Sequence, residues 1–173
     1  MPAYQSSFDA TSYQLLSNLS LLPLRTTYKG PAPKADSSTE DVIDEAFKYY
    51  RANVFFKQFE IKTPADRVLI YVTLFIQACL AATMKCNTAN EAKKQLNSLA
   101  LTNFSIPGDP SFPLNSLYSS PKNHSEAETL RQFFQQIRSE VVERFVPIVF
   151  KDDKPDKWWM CLAKRKFMNT SID

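Results

Sequence analysis

The side chains able to do covalent or metal chemistry are few in this chain. There is one histidine, His124, in a polar turn from Ser119 to Ser125, and there are three cysteines, Cys79, Cys86 and Cys161. A zinc site needs Cys and His gathered at ligand spacing, and no C-x-x-C occurs. Cys79 and Cys86 stand seven apart, two turns along one helix face, where a small buried hydrophobe is the expected role. A Cys/His nucleophile pair would have to join His124 to a cysteine that reads as core. The carboxylates Asp41/Asp44/Glu45 and Glu126/Glu128 sit where helices begin, and are read as helix-start charges rather than paired catalytic acids. Glycine is equally limiting: average usage would give roughly twelve, and the chain has two, Gly30 and Gly108. Phosphate-cradling loops, type I′ hairpins and nucleophile elbows rely on glycine at fixed offsets, so none of them is expected. The chain reads as a non-enzyme, with no cofactor and no metal.

What remains is contact chemistry, and it is concentrated near the C-terminus. Asp153 to Asn169 reads DKPDKWWMCLAKRKFMN, with both tryptophans and a basic triplet. From Lys151 to Asn169 six Lys/Arg face three Asp/Glu, so this stretch holds the whole formal net charge of +3. Large rings beside clustered cations suit docking onto an acidic partner. Lys157, Trp158, Trp159, Lys164, Arg165, Lys166 and Phe167 are therefore candidate contact residues. Helix neighbours differ by about 100°, so one tryptophan should anchor the core while the other faces a partner. The alternative is a small basic helical nucleic-acid-binding or adaptor protein, since single-strand binders also mix cations with rings. A pI near 8.7 with so small an excess is a weak footprint for that use. A membrane-surface helix would turn Asp152, Asp153 and Asp156 toward anionic lipid. A protein-docking helix fits best.

The elements that position these residues are helices. The 173 residues, 44% hydrophobic, are enough for one domain, 1–173, with an all-α fold of about five helices. Residues 1–37 read as an extended arm, because Pro23, Pro31 and Pro33 prevent a long helix while Leu15, Leu16, Leu19, Leu21 and Leu22 supply contacts. The helical core, 38–173, starts near Ser38 as cap with Asp41 at the third position, and Ile43, Phe47, Tyr50 and Val54 form a stripe. The second helix opens with Thr63, Pro64 and Asp66. Val68 to Met84 carries no charge, and Thr73, Gln77 and Thr83 are its polar interruptions. It falls short of the roughly twenty residues of a membrane span, and is expected to be a central helix enclosed by the others. A third helix runs from a Thr88–Glu91 box to about Leu101, burying Ala92, Leu96 and Leu99. A fourth begins with Ser125–Glu128, places Leu130, Phe133, Phe134, Ile137, Val141 and Phe145 on one face, and should end or kink at Pro147. The fifth should start at Pro155 and carry Lys164, Arg165 and Lys166 in its last turns. Between the third and fourth lies a Pro-rich loop, 103–123, too apolar to be free. It should be ordered, covering core or touching a partner, which makes Phe112 and Leu114 further contact candidates.

Met1–Tyr4 lacks the basic and apolar regions of a secretory signal, and the odd cysteine count suits a reducing cytoplasm. The four N-x-S/T sequons, at Asn18, Asn103, Asn123 and Asn169, are then chance occurrences.

The tail, with KWW followed by a basic KR-x-FMN ending, closely resembles the C-terminal block of the subunit 3 family of the actin-related protein 2/3 complex. Similar blocks run through the chain: MPAY, LPLR at Leu22–Arg25, YKGPAP at Tyr28–Pro33, DEAFKYYRANVFFKQFEIK at Asp44–Lys62, ADRVLIYVTLFI at Ala65–Ile76 and LTNFSIPGDPSFPLN at Leu101–Asn115. The resemblance implies a non-catalytic subunit of a seven-protein assembly that nucleates branched actin filaments. It implies an all-helical domain with one helix surrounded by the others, docked chiefly onto the larger actin-related subunit, on the side involved in filament contacts. Nucleotide would belong to the actin-related subunits. Cytoplasm and cortical actin structures are the implied location.

Overall fold

The helices start where carboxylates and amides can reach back to free N–H groups, and those starts set the frame. In a computed structural model describing residues 3–172, α1 spans Val42–Asn53, with Asp41 as N-cap and Asp44 completing a capping box. The expected start at Ser38 is corrected: Asp41 and Asp44 exchange side-chain and backbone bonds at 3.0 and 3.1 Å, while Ser38 lies in the preceding turn. Met1, Pro2 and Asp173 lie outside the described residues, the first two at the start of the expected arm.

The second helix, α2, spans Pro64–Thr83 as its start chemistry predicts. Asp66 does most of the capping, accepting from the N–H groups of Lys62 at 2.8 Å and Thr63 at 3.2 Å. By length and composition alone α2 could cross a membrane, yet its side chains are buried nearly all round. It packs against α1, against α3 (Ala89–Leu101) and against α4 (His124–Val149). Thr73 and Thr83 satisfy their hydroxyls on carbonyls one turn back, Leu69 and Cys79, at 2.7 and 2.8 Å. Cys79 is buried on α2, and Cys86 is buried too, but in the turn beyond the end of the helix rather than along its face.

Two helix starts compete before α4, Asn123–Glu126 and Ser125–Glu128. Asn123 wins, its side chain accepting from the Glu126 N–H at 2.8 Å, so the expected Ser125 start is corrected by two residues. Pro147 does not end the helix: α4 continues to Val149, where the Phe150 N–H donates to the Val146 carbonyl. Arg138, buried on α4, donates to the Leu99 and Ala100 carbonyls at 2.7 and 3.3 Å, closing the C-terminus of α3.

The fold is mostly helical but not purely so. Two short antiparallel hairpins add β1 (Leu15–Leu16) with β2 (Leu19–Ser20), and β3 (Phe150–Lys151) with β4 (Lys154–Pro155). The expectation that scarce glycine forbids a type I′ turn is corrected at the second hairpin. Asp152 and Asp153 both take left-handed φ, 51° and 63°, the pairing that turn requires. Aspartate, like asparagine, tolerates that region better than most side chains, and Asp153 also accepts from the Ala89 N–H at 3.0 Å, at the start of α3.

The arm is held by polar contacts as well as by its buried leucines, Leu16, Leu19, Leu21, Leu22 and Leu24. Gln136 on α4 donates to the Tyr28 carbonyl at 3.0 Å and accepts from the Ala32 N–H at 2.9 Å, acting as one more peptide unit. Gly30 passes so close that an added Cβ would lie 2.2 Å from that amide. Beneath the arm, Arg144 donates to both oxygens of fully buried Asp41 at 2.7 Å, to Glu140 at 2.8 Å and to the Arg25 carbonyl at 2.6 Å. Burial pushes the Asp41 carboxyl up, but the bonds from Arg144 and the Arg25 N–H outweigh it and hold the group below the usual carboxylate range.

Candidate docking surface

The tail departs from its expected single helix. Only four residues, Lys157–Met160, form α5, capped by Asp156, which accepts from the Trp158 N–H at 3.2 Å. That bond, with the Lys151 ammonium at 3.2 Å, holds the Asp156 carboxyl below its ordinary value. The chain then turns at Cys161–Lys164, so Lys164, Arg165 and Lys166 lie beyond α5, exposed on a ridge rather than in a last helical turn. The reason is tertiary: Leu162 and Ala163 are buried and Phe167 is buried again four residues later. The Phe167 and Met168 N–H groups are taken by the Gln77 side chain and the Phe56 carbonyl rather than by carbonyls one turn back.

The two tryptophans divide the work between inside and outside. Trp159 is half-buried, its ring edge-on to Phe47 with centroids 6.1 Å apart and 5.8 Å from Tyr50. Trp158 is 68% exposed. The Arg51 guanidinium lies 5.0 Å from its ring centroid and donates to its carbonyl. Just beyond the end of α1, Phe55 is exposed and receives Arg165 over its ring at 4.9 Å. Each guanidinium is thus oriented by a ring while its N–H groups stay near solvent.

Two open grooves flank the ridge. One, of about 300 Å³, is lined by Val54, Phe55, Lys57 and the basic triplet. The other, of about 350 Å³, lies between that triplet and Gln77, Ala78 and Ala81 of α2, with Met84 just beyond its end. Lys157 is exposed at the start of α5. The ridge is fixed from below by Gln77. Its side-chain oxygen accepts from the Phe167 N–H at 2.7 Å, and its nitrogen donates to the Thr170 carbonyl at 2.7 Å. Phe167 is 1% exposed, packed edge-on to Phe59 at 5.7 Å, and the Met168 N–H donates to the Phe56 carbonyl at 2.9 Å.

Of the residues marked by sequence, Lys157, Trp158, Lys164, Arg165 and Lys166 are exposed and Trp159 is half-buried; the triplet lines both grooves, whereas Lys157 and Trp158 line neither. Phe167, Phe112 and Leu114 are corrected: their side chains are buried, at 1%, 4% and 8% exposure, and belong to the core. The 103–123 loop covers core, with Tyr118 donating to the Arg67 carbonyl at 2.6 Å and Arg67 donating back to the Leu117 carbonyl at 2.7 Å. Sequence reasoning missed Arg51, Phe55 and Gln77. The first two carry a signal, an exposed Arg and Phe at i, i+4, whereas Gln77 read only as a blemish in an apolar run. Among the described residues no three His, Cys, Asp or Glu gather as a metal-ligand group.

Comparison with known proteins agrees along the entire chain. The family model described as P21-Arc, the ARP2/3 complex ARPC3 (21 kDa) subunit, matches residues 1–172. The chain is 49% identical over 175 residues to actin-related protein 2/3 complex subunit 3 of Schizosaccharomyces pombe, covering 99% of this chain and 100% of that protein. It is 45% identical to the Saccharomyces cerevisiae subunit 3, covering 99% and 100%. The subunit 3 of Arabidopsis thaliana is 39% identical, with 98% of each chain covered. The chain therefore belongs to the family of the 21 kDa subunit 3 of the ARP2/3 complex.

Proposed function

We propose that this chain is a non-catalytic structural subunit of an actin-related protein 2/3 complex, supporting filament nucleation and branched actin networks by docking onto an actin-related subunit. The family match over residues 1–172, with relatives named as that complex's subunit 3 covered end to end, carries the assignment. The contact face we assign is the basic ridge with Trp158 and Lys157, offered to an acidic surface of the larger actin-related subunit and to the side that meets the filament. Support comes from its geometry: the cations stand outward on a backbone anchored at Phe167 and Gln77, so docking need not order them first. The other subunits of the assembly are its partners, nucleotide stays with the actin-related subunits, and the place of action is the cytoplasmic actin cytoskeleton, including cortical actin structures. The nucleic-acid-binding alternative gains no further observation.

The test is a native pull-down with identification of the co-purifying chains, followed by charge reversal. Recovery of actin-related proteins with the remaining subunits is the expected result. Lys164→Glu, Arg165→Glu and Lys166→Glu together should weaken incorporation or slow branching, more at low salt than at high, because exposed charges act mainly on association rate. Unchanged assembly and branching at low salt would remove the ridge from the interface without touching family membership.

A further inference from the structure

We propose that Ser6 is a phosphorylation site and that its modification releases the first stretch of the arm, residues 3–8, from the helical core. Ser6 is held between two buried carboxylates. Its N–H donates to Asp66 Oδ1 at 2.8 Å and its hydroxyl donates to Glu45 Oε1 at 2.8 Å. Ser7 adds its N–H and hydroxyl to Glu45 Oε2 at 2.8 and 2.6 Å. Glu45 is 3% exposed and Asp66 is fully buried. The Asn53 amide closes the strap by accepting from the Tyr4 N–H at 2.9 Å and donating to the Tyr4 carbonyl at 3.1 Å. Every one of these bonds has the strap as donor to a carboxylate or as partner to an amide, and of its own apolar groups Ala3 and Phe8 are only partly buried while Tyr4, stacked on Tyr49 at 4.5 Å, is exposed. Such a segment opens at lower cost than the packed helices, so a lifted conformer is available to an enzyme.

Asp9 stands three residues beyond Ser6, the placement an acid-directed serine kinase reads, and it is exposed. In the lifted strap the Ser6 oxygen attacks the γ-phosphorus of Mg-ATP. A new O–P bond forms, the bond from that phosphorus to the β,γ-bridging oxygen breaks, ADP leaves, and the hydroxyl proton passes to the kinase's carboxylate base. The product replaces a donor with an acceptor-only group of about −1.5 to −2 charge at neutral pH. It can no longer donate to Glu45, and its charge opposes both carboxylates. The strap then stays off, leaving the receptors on α1 and α2 open to water.

The experiment uses the purified full chain and, in parallel, the native assembly that contains it, each incubated with an acid-directed serine kinase and Mg-ATP. The expected result is one phosphate mapped to Ser6, absent in Ser6→Ala and slowed in Asp9→Asn. Amide exchange of residues 3–8 should rise at least about tenfold in the phosphorylated chain while α2 stays protected. No phosphate on Ser6 in either preparation overturns the site. A phosphorylated chain whose residues 3–8 exchange as before overturns the release. Neither readout depends on what the basic ridge contacts.

Discussion

The arm and the tail are both irregular chain laid over helices, and both are held by side-chain amides standing in for a neighbouring strand. Asn53 and Gln136 grip the arm, and Gln77 grips the tail. They differ in the direction of their charge. The arm turns polar groups inward onto Asp41, Glu45 and Asp66, where hydrogen bonds must be matched one by one. The tail turns Leu162 and Phe167 inward and leaves Lys164, Arg165 and Lys166 outside. Inward charge specifies one arrangement of this chain. Outward charge on an apolar anchor leaves energy for a second molecule.

The largest effect should come from breaking the arm side. Arg144→Met removes the partner of buried Asp41, and should destabilise by about 3–5 kcal/mol in denaturant unfolding, because a buried carboxylate is left uncompensated. Adding Asp41→Asn in the same chain should recover part of that loss. Acid sharpens the same point. The Asp41 carboxyl titrates lower folded than unfolded, so its stabilisation is complete above the ordinary carboxylate range and disappears as pH falls through the depressed folded value. Unfolding midpoints followed downward from pH 6 should therefore show a loss that Asp41→Asn lacks.

On the tail side, Gln77→Leu orphans the Phe167 N–H and the Thr170 carbonyl and should cost about 1–3 kcal/mol. Hydrogen exchange should locate that loss in residues 167–170, and trypsin should cleave the ridge faster, with α1 and α4 unaffected. The smallest effect on stability belongs to Trp158→Ala, within about 1 kcal/mol, since its ring is exposed and its partner Arg51 stays solvated. Binding to an actin-related subunit should fall in that variant despite an unchanged melting curve. Equal melting losses for Trp158→Ala and Trp159→Ala would erase the division between the two rings.

Much of the frame was legible in residue order because its causes are local. The Thr63–Pro64–Asp66 start of α2, the Thr88–Glu91 start of α3 and the apolar face of α4 all rest on spacings of three or four. The errors arose where two local signals competed, as Asn123 against Ser125 and Asp41 against Ser38, or where a tertiary demand overrode a pattern. The tail helix stops at Met160, and beyond it the Phe167 and Met168 N–H groups go to Gln77 and Phe56 instead of to a helical ladder. The basic ridge was visible as composition, but its support was not. Gln77 and Phe167 are ninety residues apart, as are many of the amide contacts to within a factor of two. Nothing at either position announces the other.

The enclosure of α2 also sets a timetable for synthesis. Its apolar surface is complete once Thr83 has been added, yet α4 ends only at Val149 and the tail anchor comes with Phe167. At about 5–20 residues per second on the ribosome, the helix waits roughly 4–17 seconds for its last cover. During that interval the nascent chain offers a partly covered hydrophobic helix, long and apolar enough to enter a bilayer, that a chaperone must shield or a misplaced contact will claim.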